Sequence, residues 1–300
     1  MTLAHVVRWG AEAEYGDAGA LAPEAAGYAR WSVVDENVGA VHTGFGICRL
    51  DAGGTVPAHV HSFEESVYVL DGEPVLRTPD IAVRLRPGDY ALVHVGVPHQ
   101  WHNDRNDAAR WAEMLAPMPR SQYGQDTYRV PDLAPAEPVL VDPRDPRTRS
   151  FGSITPEHMD PAKQSQDLLA VSASMRTALL VYGGVTVKMM VDSDLGAVLS
   201  TMFMVQYDPD GAAGAHDHPF EETYLILEGE VDATFDGQTY RLKPGDVAWA
   251  GAGCRHGFAA TGAPVRWLET QAPQPPGRHS YRFARDWDYL SAVLSEGNAT

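Results

Sequence analysis

"AHVHSFEESVYVLDGE" (residues 58–73) and "AHDHPFEETYLILEGE" (residues 215–230) are the same sentence written twice. They agree without a gap at 9 of 16 positions, and every match lies 157 residues apart. The frame continues outward. Asp35 pairs with Asp192, Gly39-Ala40-Val41 with Gly196-Ala197-Val198, Pro87-Gly88-Asp89 with Pro244-Gly245-Asp246, and His99 with His256. After one deletion the offset becomes 156, and Arg110-Trp111, Glu113 and Ala116-Pro117 match Arg266-Trp267, Glu269 and Ala272-Pro273. The chain therefore contains an internal duplication, with equivalent units over roughly 28 to 120 and 185 to 277.

Each unit alternates apolar and polar residues in short runs, such as "EESVYVLDGE", "IAVRLRPGD" and "YALVHVG", separated by Gly, Pro and Asp. Closely spaced strands of period two predict an all-β barrel or sandwich. Gly72 and Gly229 close hairpins, and the two Pro-Gly-Asp triplets supply a second turn. Four segments follow: an N-terminal barrel over 1–120, a Pro-rich linker with one short helix over 121–170, a C-terminal barrel over 171–277 and a tail over 278–300. The prolines from 117 to 161 predict an extended connection packed over the surface. "DPAKQSQDLLAVSASM", starting at Asp160, suits the helix, and "RFARDWDYL" a docking tail.

The 300 residues carry 40 acidic against 23 basic side chains, a formal charge of -17. Such a surface repels nucleic acid and anionic lipid. The N-terminus lacks the basic flank and apolar core of a signal peptide, and the apolar stretch near 178–191 is broken by Gly183, Gly184 and Lys188. A cytoplasmic protein that binds neither nucleic acid nor membrane is expected. Two cysteines, Cys48 and Cys254, build neither a disulfide framework nor a thiolate zinc site. A metal would take nitrogen and oxygen ligands.

Residues two apart on a strand share a face, so His59 points with His61 and His216 with His218. A glutamate doublet follows each pair, and His99 and His256 arrive 34 residues after Glu65 and Glu222. Three imidazoles and a carboxylate recurring in register suit a divalent transition metal with open coordination positions.

On these residues the chain resembles a bicupin, a member of the cupin superfamily with two barrels in one chain. The first family motif matches Gly53, His59, His61, Glu65 and Gly72. It recurs as His216, His218, Glu222 and Gly229, with the leading glycine one residue closer at Gly211. The second motif matches Gly88, Gly96, His99 and Asn103, with His94 in place of its proline. The later copy keeps Gly245, Gly253 and His256 but carries Gly251 and Ala260 for the proline and asparagine. The resemblance implies two cupin barrels, metal ligands His59, His61, Glu65 and His99 in one and His216, His218, Glu222 and His256 in the other, and up to two ions per chain. Iron or manganese comes first, with nickel, cobalt and zinc as further candidates. Spacing to the closing glycines, together with the motif, selects Glu65 and Glu222 from the doublets and leaves Glu64 and Glu221 facing outward into solvent.

Three function classes follow. The first is a quercetinase-like dioxygenase that cleaves a carbon–carbon bond of a small enolic, phenolic or hydroxy-acid substrate, with dioxygen as co-substrate. The second is a redox-neutral decarboxylase, isomerase or hydrolase, and the third a non-catalytic binder. Candidate catalytic residues are Tyr224, Glu269 and Glu113. Val67, Val69 and Trp101 are expected around the first site and Ile226 and Phe258 around the second, with Met202 and Met204 lining a pocket or filling the interface between barrels. Arg49 and Gln206, equivalent in the repeat, are candidates for binding a substrate oxygen, and an apolar barrel edge makes a homo-oligomer an expectation.

Overall fold

A computed structural model describes residues 5–16, 19–21, 23–160, 183–274 and 282–283. The helix expected over 160–175 lies, beyond Asp160, outside the described residues, as does the tail apart from Arg282–Phe283. Among the described residues the regular structure is strand apart from six short 3-10 helices, and the strands form two sheets, one per repeat. No helix among the described residues is long and apolar enough to cross a membrane.

In each sheet one long strand organises the barrel, Gly44–His61 in the first and Thr201–Asp217 in the second. Ala109–Ala116 and Val265–Ala272 lie beside them in antiparallel register, followed by Glu64–Asp71 and Glu221–Glu228. Gly72 and Gly229 adopt φ of 74° and 71°, and a Cβ there would run into the backbone of Ala108–Ala109 or Pro264. Only glycine fits these turns. The Pro-Gly-Asp turns are locked by their aspartates, with Asp89 accepting from Arg86 N at 2.8 Å and Asp246 from Lys243 N at 3.0 Å.

The connection is more than an extended cover. Thr127–Arg129 pairs with His59–His61, Val139–Leu140 with Val83–Arg84, and Phe151–Ser153 with Asp89–Ala91. Sheet edges leave unpaired N–H and C=O groups, and the linker satisfies them on the first barrel. On the second barrel, residues distant in sequence do this work. The N-terminal strand His5–Arg8 pairs with Val247–Ala250, and Arg282–Phe283 with His216–Asp217.

Between the sheets lies a shared apolar core in which Trp31, Phe45, Ile47 and Met114 of the first repeat meet Met202, Met204, Trp249 and Leu268 of the second. The two methionines thus fill the interface. Phe203 and Val205, one residue off in parity, face the second barrel's interior. A cavity of about 450 Å³ beside this core, lined by Tyr68 and Leu225 among others, touches neither histidine cluster.

The doublet glutamates expected in solvent are buried instead, Glu64 at 1% and Glu221 at 3% exposure. Glu64 of the first barrel accepts the backbone N–H groups of Val198, Leu199 and Ser200 of the second at 2.7, 3.0 and 3.2 Å. Reciprocally, Glu221 accepts those of Val41, His42 and Thr43 at 2.8, 3.2 and 2.9 Å. Period-two alternation does point them away from the metal ligands. The surface on that side is the opposite barrel, and a loop of unpaired amides makes burial of the charge tolerable.

Candidate metal centres

The first centre gathers His59, His61, Glu65 and His99, all buried, with one donor atom from each within 4.8 Å of the others. Antiparallel register sets His59 directly opposite His99, and Glu65 opposite Leu115. Each imidazole is held by its Nδ1, on Pro57 O at 2.8 Å, Phe63 O at 2.7 Å and Val97 O at 3.0 Å respectively. A carbonyl only accepts, so Nδ1 carries the proton and Nε2 presents its lone pair to the centre. Phe63 stacks on His61 with centroids 4.0 Å apart, which fixes that ring.

Two observations fit a metal. Nε2 of His99 and Oε1 of Glu65 are buried without a hydrogen-bond partner, a costly arrangement in a finished core. Glu65 Oε2 stands 3.1 Å from Nε2 of both His61 and His99, about the edge length of a shell with ~2.1 Å bonds. Burial and the neighbouring His99 push His59 down to about 3, so it is neutral and ready to ligate at physiological pH. Burial alone would raise Glu65, but the close approach of His61 and His99 outweighs it and holds the carboxyl well below the usual carboxylate range.

The second centre repeats the imidazole geometry. Nδ1 of His216, His218 and His256 rests on Gly214 O, Phe220 O and Cys254 O at 2.8, 3.0 and 3.0 Å. Burial and His256 push His216 down to about 3. The carboxylate differs. Glu222 Oε2 lies 2.7 Å from His218 and 3.2 Å from His256, yet only the three histidines bring their donors mutually within 4.8 Å. Tyr224 donates its hydroxyl to Oε2, and the Gln271 amide donates to Oε1. The equivalent positions in the first barrel are Val67 and Leu115, which offer no such bonds.

Around the second centre Tyr224, Phe235, Phe258 and Trp267 pack as one aromatic cluster. Burial, then the charge of Glu222, raises Tyr224 well above the ordinary phenol range, and the same two causes raise Glu269 well above the carboxylate range. Glu269 accepts from Trp267 Nε1 at 2.9 Å. These groups hold protons firmly against the barrel's aromatic core.

The first barrel is open. A cavity of about 260 Å³ is lined by His59, His61 and Glu65 together with Arg30, Val56, Phe63, Trp101 and Glu113. Trp101 lines this cavity, whereas Val67 and Val69 pack in the first barrel's inner core without lining it, and Ile226 and Phe258 pack in the core of the second. Arg30 is the site residue that the repeat did not reveal, because its counterpart in the second repeat is Val187. Its Nε bonds Glu113 Oε2 at 2.8 Å and its Nη1 bonds Ser32 Oγ at 3.0 Å, while Nη2 is buried without a partner. The available signal was a lone cation at a period-two position, Tyr28-X-Arg30-X-Ser32, of an otherwise apolar strand. Burial raises Glu113, with Arg30 opposing. Arg49 lies elsewhere, over the Tyr15 ring and 3.1 Å from Asp51, and Gln206 donates to Met159 O. Asn103 is structural, its amide donating to three backbone carbonyls. His94 and His102 are half-buried outside both sets.

The comparisons with known proteins agree with this geometry. The family model described as a cupin domain matches residues 46–115 and again 203–270. The chain is a bicupin. No curated protein matches it in sequence. Among solved structures it is similar to salicylate 1,2-dioxygenase from Pseudaminobacter salicylatoxidans, at 17% identity and a TM-score of 0.61, over 81% of this chain and 76% of that one. It is also similar to a mutant oxalate decarboxylase from Bacillus subtilis, at 14% identity and 0.67, over 98% and 85%. An oxalate decarboxylase from Lactobacillus farciminis in complex with formate matches at 13% and 0.65, over 99% and 94%. At these identities the likeness is one of fold, shared by bicupins of both chemistries.

Proposed function

We propose that this bicupin is a metal-dependent dioxygenase that works at the first centre on a small phenolic, enolic or hydroxy-acid substrate bearing a carboxylate. The observation that carries the proposal is Arg30, a guanidinium at the wall of the cavity that contains His59, His61 and Glu65, whose Nη2 has no hydrogen-bond partner. A guanidinium with an uncommitted N–H at the wall of a partly buried cavity binds carboxylate strongly and directionally. Val56, Phe63 and Trp101 supply apolar walls for the carbon skeleton and keep water from the reacting face. Glu113 is a positioning residue, since its ion pair holds the guanidinium at the cavity wall.

An iron or manganese ion held by these ligands would supply a redox-active Lewis acid with positions open to substrate oxygens and dioxygen. The protein's part is to set four donors in place, anchor the carboxylate and exclude solvent. In the second barrel, where Tyr224 and Gln271 engage Glu222, we assign the ion a structural role. One observation favours a second reading, a redox-neutral decarboxylation: burial keeps Glu113 above the usual carboxylate range, so this cavity carboxyl can hold a proton for a developing carbanion.

The test is to assay Glu65→Gln and Glu222→Gln separately against carboxylated phenols and enolic acids, with metal content measured on the same samples. Activity lost in Glu65→Gln and largely kept in Glu222→Gln supports the assignment. The reverse pattern removes it.

A further inference from the structure

One cluster of metal-ligating side chains shares no residue with either centre. His5 lies on the N-terminal strand, Asp236 at the turn between Val231–Phe235 and Gln238–Leu242, and Cys254 in the loop before His256–Ala260. One donor atom from each, nitrogen, oxygen and sulfur, falls within 4.8 Å of the other two. Three segments far apart in sequence therefore converge on one point.

Each side chain is held there. The His5 ring stacks on Phe235 with centroids 5.4 Å apart and an interplanar angle of 17°, and its Nε2 lies 3.0 Å from the Tyr240 hydroxyl. Asp236 takes φ of 47°, the left-handed conformation that an Asp-Gly hairpin turn needs, and its Oδ1 accepts from Arg255 N at 3.0 Å. Cys254 is buried at the rim of the barrel's aromatic core. Asp236 is exposed and lines a depression of about 710 Å³ that gives solvent a way in.

We propose that His5, Asp236 and Cys254 form a third metal site, for an ion of the zinc class, that clips the N-terminal strand to the rim of the second barrel. Imidazole, carboxylate and thiolate together are a borderline-soft set that suits Zn²⁺ and disfavours Mg²⁺ and Ca²⁺, which seek oxygen alone. A tetrahedral shell with bonds of 2.0–2.3 Å needs donor separations of roughly 3.3–3.8 Å. With the donors within 4.8 Å of one another, the set closes by at most about 1.5 Å on binding, a movement open to an exposed aspartate on a hairpin turn, and water completes the fourth position. Coordination releases the thiol proton to solvent.

The site would have a structural consequence. His5–Arg8 completes the second sheet from the far end of the chain, and the backbone carbonyl of Cys254 orients the His256 ring. An ion at this point ties both together, independently of which reaction the first barrel performs.

Sulfur makes the test specific, because neither histidine centre includes a thiolate. Chelator-treated full-length protein is titrated with Co²⁺ and the sulfur-to-cobalt charge-transfer absorption recorded. The expected result is a band that saturates at one thiolate-bound ion per chain, persists in His59→Ala and His216→Ala, and vanishes in Cys254→Ser and His5→Gln. Both of the last two are mild replacements whose folding is checked by far-UV circular dichroism. No band at any loading, or a band that survives Cys254→Ser and so arises from Cys48, overturns the site. A band that survives His5→Gln removes the clip.

Discussion

Replacing Glu221 by glutamine isolates the brace between the barrels, because the side chain keeps its volume and loses its charge and one acceptor. The carboxylate accepts three backbone N–H groups, from Val41 at Oε1 and from His42 and Thr43 at Oε2, and is 3% exposed. A hydrogen bond to a charged group contributes about 1.5–3 kcal/mol, against about 1 for a neutral one. With the amide oxygen turned to the two-donor side, the variant keeps two weakened bonds and sets its NH₂ against the Val41 N–H. That is one charged bond lost and two reduced, about 3–5 kcal/mol in total. Val41 is 63% exposed, so water can reach its amide, which lowers the expected cost to about 2–4 kcal/mol. Urea unfolding followed by circular dichroism should show a lower midpoint at unchanged slope. Glu64→Gln, which strips the reciprocal set, should fall in the same range. A surface control, Glu230→Gln, whose partner Arg241 is 3.7 Å away, should stay within about 0.5 kcal/mol. A Glu221→Gln midpoint indistinguishable from that control would refute the brace.

Other outcomes follow from the same geometry. Arg30→Lys keeps the charge but loses the fork, and should raise KM for a carboxylated substrate about 10- to 100-fold with a smaller change in kcat. Arg30→Met leaves Glu113 buried without its cation and should cost about 3–5 kcal/mol of stability, which Glu113→Gln in the same chain should partly restore. Elemental analysis of His59→Ala and His216→Ala should each show one histidine-bound ion fewer than wild type, since the centres share no ligand. His59 and His216 sit near pKa 3 in the fold and near 6.5 in the unfolded chain, so the unfolded state binds protons first as pH falls. Metal-free protein should therefore lose stability from pH 6.5 down to about 3, by up to about 5 kcal/mol per imidazole, and be insensitive to these groups above 6.5.

Most of the fold was legible because the duplication is its own alignment. Two copies of His-X-His and two closing glycines fix strand parity, and parity predicts which faces Val67, Val69, Trp101, Ile226 and Phe258 occupy. Parity says only that Glu64 and Glu221 point away from the metal, and it does not say what lies on that side. There the opposite barrel presents its amides, a tertiary fact invisible to local pattern. Arg30 was hidden for a related reason: a repeat advertises what its copies share, and Arg30, Val67 and Leu115 are where the two barrels differ. The strand His5–Arg8, first in the chain, completes the second sheet, a pairing that no hydrophobic period encodes.

Oxygen stoichiometry tests oxidative chemistry at the first centre most directly. Protein reconstituted with iron or manganese is given a carboxylated phenol or enolic acid in a sealed oxygen-electrode cell, and substrate loss is measured alongside dioxygen uptake. The predicted result is one dioxygen consumed per substrate consumed, with turnover stopping under argon and failing when zinc fills the site. Turnover at full rate without oxygen, or with zinc in place of a redox metal, would contradict the dioxygenase assignment and leave Glu113 as the proton carrier of a decarboxylase.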